Sequence, residues 1–151
     1  MLPNIFTEKV SAELISRIEA LKADSQAKWG KMSVAQMLAH SNVTYEMIYE
    51  DKHAAPNFFV KLILKLFVKS IVTNEVPYKQ NSDTAPQFVI VEEKNFETEK
   101  NRLISYIQKT QALGEKNFDN KESLSFGVLS KTQWNNMLYK HLNHHLAQFG
   151  V

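Results

Sequence analysis

The residues of this chain best suited to chemistry lie in the stretch Trp134 to Val151, reading WNNMLYKHLNHHLAQFGV, which carries three of the five histidines. If the stretch is helical, each residue advances about 100° around the axis, so His141 and His145, four apart, stand one turn apart on one face. Trp134, Met137, Leu138, Leu142 and Phe149 share that broad face. Both imidazoles therefore sit inside the apolar arc and point inward. His144 falls nearer the polar edge and does not join them.

An inward imidazole without a partner costs on the order of 1–3 kcal/mol. Two explanations compete for the pair. Hydrogen bonds to buried side chains or water are the usual fate of a lone inward histidine. The H-x3-H spacing, in contrast, sets two ring nitrogens to converge on one ion.

A third histidine bears on that choice. The motif Ser33-x-x-Gln36 is a capping box that starts a helix, with Gln36 reaching back to the cap amide. Along that helix Met37, Thr44, Met47 and Ile48 share a face with His40, whereas Asn42, Glu46 and Glu50 lie on the far side. His40 also points inward. One shared ion would satisfy three imidazoles that are costly to bury separately, provided the fold brings this helix beside the last one. A second box, Ser130-x-x-Gln133, opens the last helix just before Trp134.

Gln36, one turn before His40, and Gln148, close to the His145 face, are candidates to orient a ligand or a bound water. The plainer roles are capping for Gln36 and surface solvation for Gln148. Trp134, Met37 and Met47 read as core, because aromatic and Met stripes at helical spacing usually are.

The remaining elements follow the same period. Thr7 caps a first helix expected to run to Ala23, with Val10, Leu14, Ile18 and Leu21 on its inner stripe. A polar linker with Trp29 and Gly30 leads to Ser33. The run from Phe58 to Val72 is apolar almost all round except for Lys61, Lys65 and Lys69. It is too interrupted for a membrane span, and its apolar arc is too wide for a typical interfacial helix. The expectation is a deeply packed bundle helix with one solvated lysine seam; the same breadth also suits a homodimer interface.

Thr73 to Pro86 has the composition of a loop, and Phe88 to Val91 reads equally as a strand piece or the approach to the next helix. Phe96, Leu103, Ile104 and Ile107 mark a further amphipathic helix ending before Gly114, with Glu97, Glu99, Lys100 and Arg102 as its solvated face. Gly114 to Leu129 is then a connection across the end of the bundle.

Composition narrows the function classes. A chain of 151 residues fits one domain, residues 1–151. A net charge of +2 with mixed signs gives no basic field for nucleic acid. The absence of cysteine removes disulfides, thiolate ligands and cysteine nucleophiles together. No secretory signal is visible in MLPNIFTEKV, so the chain reads as cytoplasmic. Four glycines and four prolines among long segments of helical period give an all-α expectation.

An inward histidine early in a helix that begins near a tryptophan, followed about a hundred residues later by H-x3-H on the final helix, resembles the DinB-like superfamily of bacterial proteins. The runs WGKMSVAQMLAH, NSDTAP, SFGVLS and WNNMLYKHLNHHLAQFG are similar to an uncharacterised branch of it. In that branch a His-Pro pair often precedes the Phe-Gly; here Ser123 and Leu124 stand in its place. The resemblance covers nearly the whole chain. It implies a four-helix bundle with an added helix or long connection, in which His40, His141 and His145 bind a divalent metal, commonly zinc or nickel.

The resemblance also implies thiol-dependent transferases or isomerases among the relatives, and others with no assigned activity. Physically, three histidines leave a coordination position open, as in catalytic zinc sites, so that the ion lowers the pKa of a water or of a substrate thiol. With no cysteine in the chain, that thiol belongs to a low-molecular-weight co-substrate. The competing class is a non-catalytic helical bundle that serves as an interaction or dimerisation module, and a weaker third is a membrane-surface element built on the lysine-striped helix.

Overall fold

The computed structural model describes residues 1–151. Helix α1, Glu8–Glu19, starts where Thr7 accepts the Val10 amide on its hydroxyl, and it buries Leu14 and Ile18. It stops short of the expected Ala23. The reason is local: Ser25 donates its amide to the Lys22 carbonyl and accepts the Lys22 amide on its hydroxyl, a closed turn that competes with continuing the helix.

Helices α2, Val34–Tyr49, and α6, Lys131–Gln148, both begin with complete capping boxes, Ser33 with Gln36 and Ser130 with Gln133. Helix α5, Phe96–Phe118, carries a break at Gly114, whose φ of 71° no helical residue adopts. The expected end before Gly114 is thus real as a kink, and a further turn continues to Phe118. In the connection that follows, β1, Lys121–Ser123, pairs antiparallel with β2, Gly127–Leu129, which puts Glu122 opposite Val128. Ser123 holds the hairpin turn by accepting the Phe126 amide at 2.8 Å.

Helices α1, α2, α5 and α6 pack on one another as an all-α bundle. Its core joins Leu14 and Ile18, Met37 and Leu38, Leu103 and Ile107, and Trp134, Leu138 and Leu142. Burying each of these side chains contributes about 1.5–3 kcal/mol.

Two sequence expectations are corrected. The charges of α5 are not all solvated: Glu99 is buried and receives hydrogen bonds from Asn42 and from Arg102, both at 2.8 Å. Arg102 also bridges to Glu46 of α2, and His53 closes the network on that carboxylate at 2.8 Å. The far side of α2 faces α5, so its polar residues had to meet partners there. Burial alone would raise the Glu46 carboxyl, but the bonds from Arg102 and His53 outweigh it and hold it below its ordinary range.

The second correction concerns the apolar run. It forms one rod made of α3, Phe58–Ile63, a π-helical turn, Leu64–Val68, and α4, Lys69–Thr73. The rod buries no side chain before Thr73. Its lysine seam faces the protein: Lys61 pairs with Glu122 at 3.2 Å, Lys65 lies over Gly127, and Lys69 donates to the Val128 carbonyl at 3.0 Å. The apolar face looks outward. A four-residue step overshoots an α-helical turn by about 40°, so three lysines so spaced would drift off line; the wider π turn takes up the excess and returns Lys69 to the hairpin.

Candidate metal centre

Helices α2 and α6 lie side by side, so that His40 of one faces His141 and His145 of the other. The His40 and His141 Nε2 atoms are 3.0 Å apart. Each of the three residues offers one nitrogen, and these nitrogens lie within 4.8 Å of one another. His40 and His145 are buried and His141 is partly exposed.

The opposite edge of every ring is engaged. His40 donates Nδ1–H to the Phe88 carbonyl at 2.8 Å. A carbonyl only accepts, so the Nε2 of His40 carries a lone pair. His145 Nδ1 meets the Gln148 Oε1 at 2.8 Å, and Gln148 donates its Nε2 to the Trp29 carbonyl at 2.7 Å. The second bond fixes which way the amide points, so His145 also donates from Nδ1 and presents a bare Nε2. His141 Nδ1 meets the Thr44 hydroxyl at 3.2 Å. A hydroxyl donates or accepts, so Thr44 is the one partner that suits either tautomer.

The linker between α1 and α2 holds this arrangement from outside. Besides the Trp29 contact, Lys28 donates its amide to the Gln148 carbonyl at 2.7 Å. Gly30, with φ +82°, passes so close that a Cβ there would stand 2.5 Å from the Gln148 Nε2. Any other residue there would strain the backbone and push the Gln148 amide aside.

All three imidazoles are kept neutral. Burial is the main cause in each. It lowers His40 despite the bond to Phe88, takes His145 down to about 3, and puts His141 well below its ordinary value with help from the neighbouring rings. Neutral imidazoles are the form that ligates metal.

The donor set could hold a divalent ion. Tetrahedral sites with metal–nitrogen bonds of about 2.0–2.1 Å need nitrogens separated by about 3.3 Å, close to the 3.0 Å between His40 and His141, while the wider spacing within the group, up to 4.8 Å, has to close for all three to share one ion. Hydrogen bonds from the remote ring nitrogen to an oxygen are the usual support of such ligands. Two surface concavities of about 470 and 460 Å³, one lined by Asn4, Thr7 and Glu115 and the other by Glu50, Arg102 and Tyr106, do not touch the imidazoles. Donor chemistry, not size, marks the candidate centre.

The other sequence candidates fall as follows. Gln148 is buried against His145, not solvated at the surface. Gln36 stays at the cap, accepting the Ser33 amide, with its Nε2 3.5 Å from the Glu92 carbonyl. His144 lies outside the cluster, edge-on to the rings of Trp29 and Tyr78. Trp134 and Met37 are core. Sequence reasoning missed the Phe88 carbonyl, which no residue type announces, and Thr44, whose place four residues after His40 on the same face was the available signal.

Comparison with curated proteins and with solved structures finds no match. Residues 7–150 match the profile of a family described as "Protein of unknown function (DUF1569)", and the chain belongs to that family.

Proposed function

We propose that this chain is a divalent-metal-dependent enzyme of the DinB-like kind, in which His40, His141 and His145 hold zinc or nickel and a small molecule reacts by thiol transfer or metal-assisted hydrolysis. The observation that carries the reading is the donor set: imidazoles kept neutral by burial, with Nδ1 engaged by Phe88, Thr44 and Gln148, the Nε2 atoms of His40 and His141 3.0 Å apart, and one nitrogen of each ring within 4.8 Å of the others. Supporting the family reading are the helical bundle and the placement of one histidine on α2 and the H-x3-H pair on α6.

Held by His40, His141 and His145, a divalent ion would supply Lewis acidity that brings a water or a thiol within reach of ionisation at neutral pH. The chain itself does the positioning. Phe88, Thr44 and Gln148 set ring orientation, and the packing of α2 on α6 buries His40 and His145, which strengthens the electrostatic interactions around them. With no cysteine in the chain, the thiol in the transfer version belongs to a low-molecular-weight co-substrate.

The test is metal content. Protein purified without a histidine tag or chelator is expected to carry about one divalent ion per chain by elemental mass spectrometry, and the His40→Ala variant none. Absence of metal in both, even after reconstitution with zinc or nickel, would move the reading to a non-catalytic bundle, the alternative that the outward apolar rod favours.

A further inference from the structure

The rod from Phe58 to Thr73 is amphipathic in the reverse sense to a surface helix. Its charged side chains are turned to the hairpin of its own chain, and Phe58, Phe59, Ile63, Leu66, Phe67 and Ile71 are each 55 to 75 % exposed. At the roughly 150–200 Å² that a large apolar side chain carries, these six present about 700 Å². Patches on monomers rarely exceed about 300–600 Å².

We propose that this face pairs with the same face of a second copy of the chain across a twofold axis. Three observations favour that occupant. With the neighbouring Val60 and Leu62, which are also exposed, the area approaches the ~800 Å² per partner of a standard interface. The face is apolar along its length and offers no charge pattern that would select a different protein, whereas apolar helix against apolar helix is self-complementary. A lipid surface fits less well. Interfacial helices present lysines to anionic headgroups, and here Lys61 and Lys69 are committed to Glu122 and the Val128 carbonyl while Lys65 covers Gly127.

The experiment is light scattering on the 151-residue chain from about 1 to 100 µM, the weaker part of the range seen for interfaces of this size, alongside Phe67→Asp. Wild type is expected at twice the 17.4 kDa chain mass, and the variant at the chain mass with unchanged helical circular dichroism and unchanged metal content. Since the chain has no cysteine, Ile63→Cys supplies an independent readout: the central turns of the two rods meet at the axis, and oxidation should cross-link the pair. Should Phe67→Asp lose its helical signal, the cross-link alone decides, and its absence overturns the proposal. A monomer throughout, or a dimer indifferent to Phe67→Asp, also overturns it. So does a monomer that co-sediments with phosphatidylserine vesicles in wild type but not in Phe67→Asp; that result would assign the face to lipid.

Discussion

The Nε2 atoms of His40 and His141 stand 3.0 Å apart, and the Nδ1 of His40 already donates to the Phe88 carbonyl. With no ion between them, the pair is satisfied only if His141 carries its proton on Nε2 and gives it to His40, the Thr44 hydroxyl then donating to the His141 Nδ1. With an ion, His141 must present a lone pair at Nε2 and hold its proton on Nδ1, with Thr44 accepting. Nitrogen-15 spectra should show His40 and His145 as the Nδ1–H tautomer throughout, and His141 changing tautomer when zinc is added. A His141 signal that stays the same would contradict this account of the pair.

Thr44→Val keeps the shape and removes the hydroxyl. His141 then lacks an Nδ1 partner in either state, and the expected result is a loss of about 10- to 100-fold in zinc affinity, measured by competition with a chromophoric chelator. Far-ultraviolet circular dichroism should be unchanged.

Gly30→Ala acts at greater distance. Its Cβ would displace the Gln148 amide, and a strained left-handed alanine costs a further ~1–2 kcal/mol. Zinc affinity should fall as in Gln148→Leu, and combining the two changes should cost less affinity than the sum of their separate effects, because both act through the same bond to His145.

Acid should weaken the metal-free protein in a specific window. His145 titrates near 6.5 when unfolded and at about 3 when folded, so between those values the unfolded chain binds the extra proton. Stability is full above pH 6.5 and falls as pH drops toward 3, by about 1.4 kcal/mol per unit for this residue. His40 and His141, lowered in the same direction, add to the slope. Urea midpoints from pH 8 to pH 5 measure it, and His145→Ala should flatten the curve.

Arg102→Met tests the second polar cluster. It leaves Glu46 and Glu99, both buried, without their shared cation. Breaking such a pair from one side costs about 3–5 kcal/mol when fully buried, and the Arg102 side chain is 31 % exposed, so roughly 2–3 kcal/mol is expected in chemical denaturation. Metal content should not change.

Much of this was legible from residue types. Helical period marks the four bundle helices, the two S-x-x-Q boxes mark where the histidine-bearing helices start, and four-residue spacing puts His141 and His145 on one face. What escaped did so for physical reasons. A segment apolar on nearly every side gives its period no means of telling inside from outside, so the orientation of the lysine seam was read backwards. Glu99 and Arg102 look like solvated charges until Glu46 is brought opposite them from another helix. The hairpin strands are three residues each, too short to carry a detectable alternation. The Phe88 carbonyl is main chain, and only tertiary structure aims it at His40.

The π turn at Leu64–Val68 amounts to an inserted residue that the helix has absorbed. Because the extra residue is taken up inside that one turn, the second half of the rod keeps the facing that an α-helix one residue shorter would give it. Deleting one residue there would rewind the turn to α and leave Lys69 on the hairpin side, whereas straightening the turn to α with no deletion would swing everything beyond it by about 100°, carrying Lys69 away from the hairpin and Ile71 off the outward stripe. A family member one residue shorter at this point would show its surroundings the same surface from a helix without the π turn.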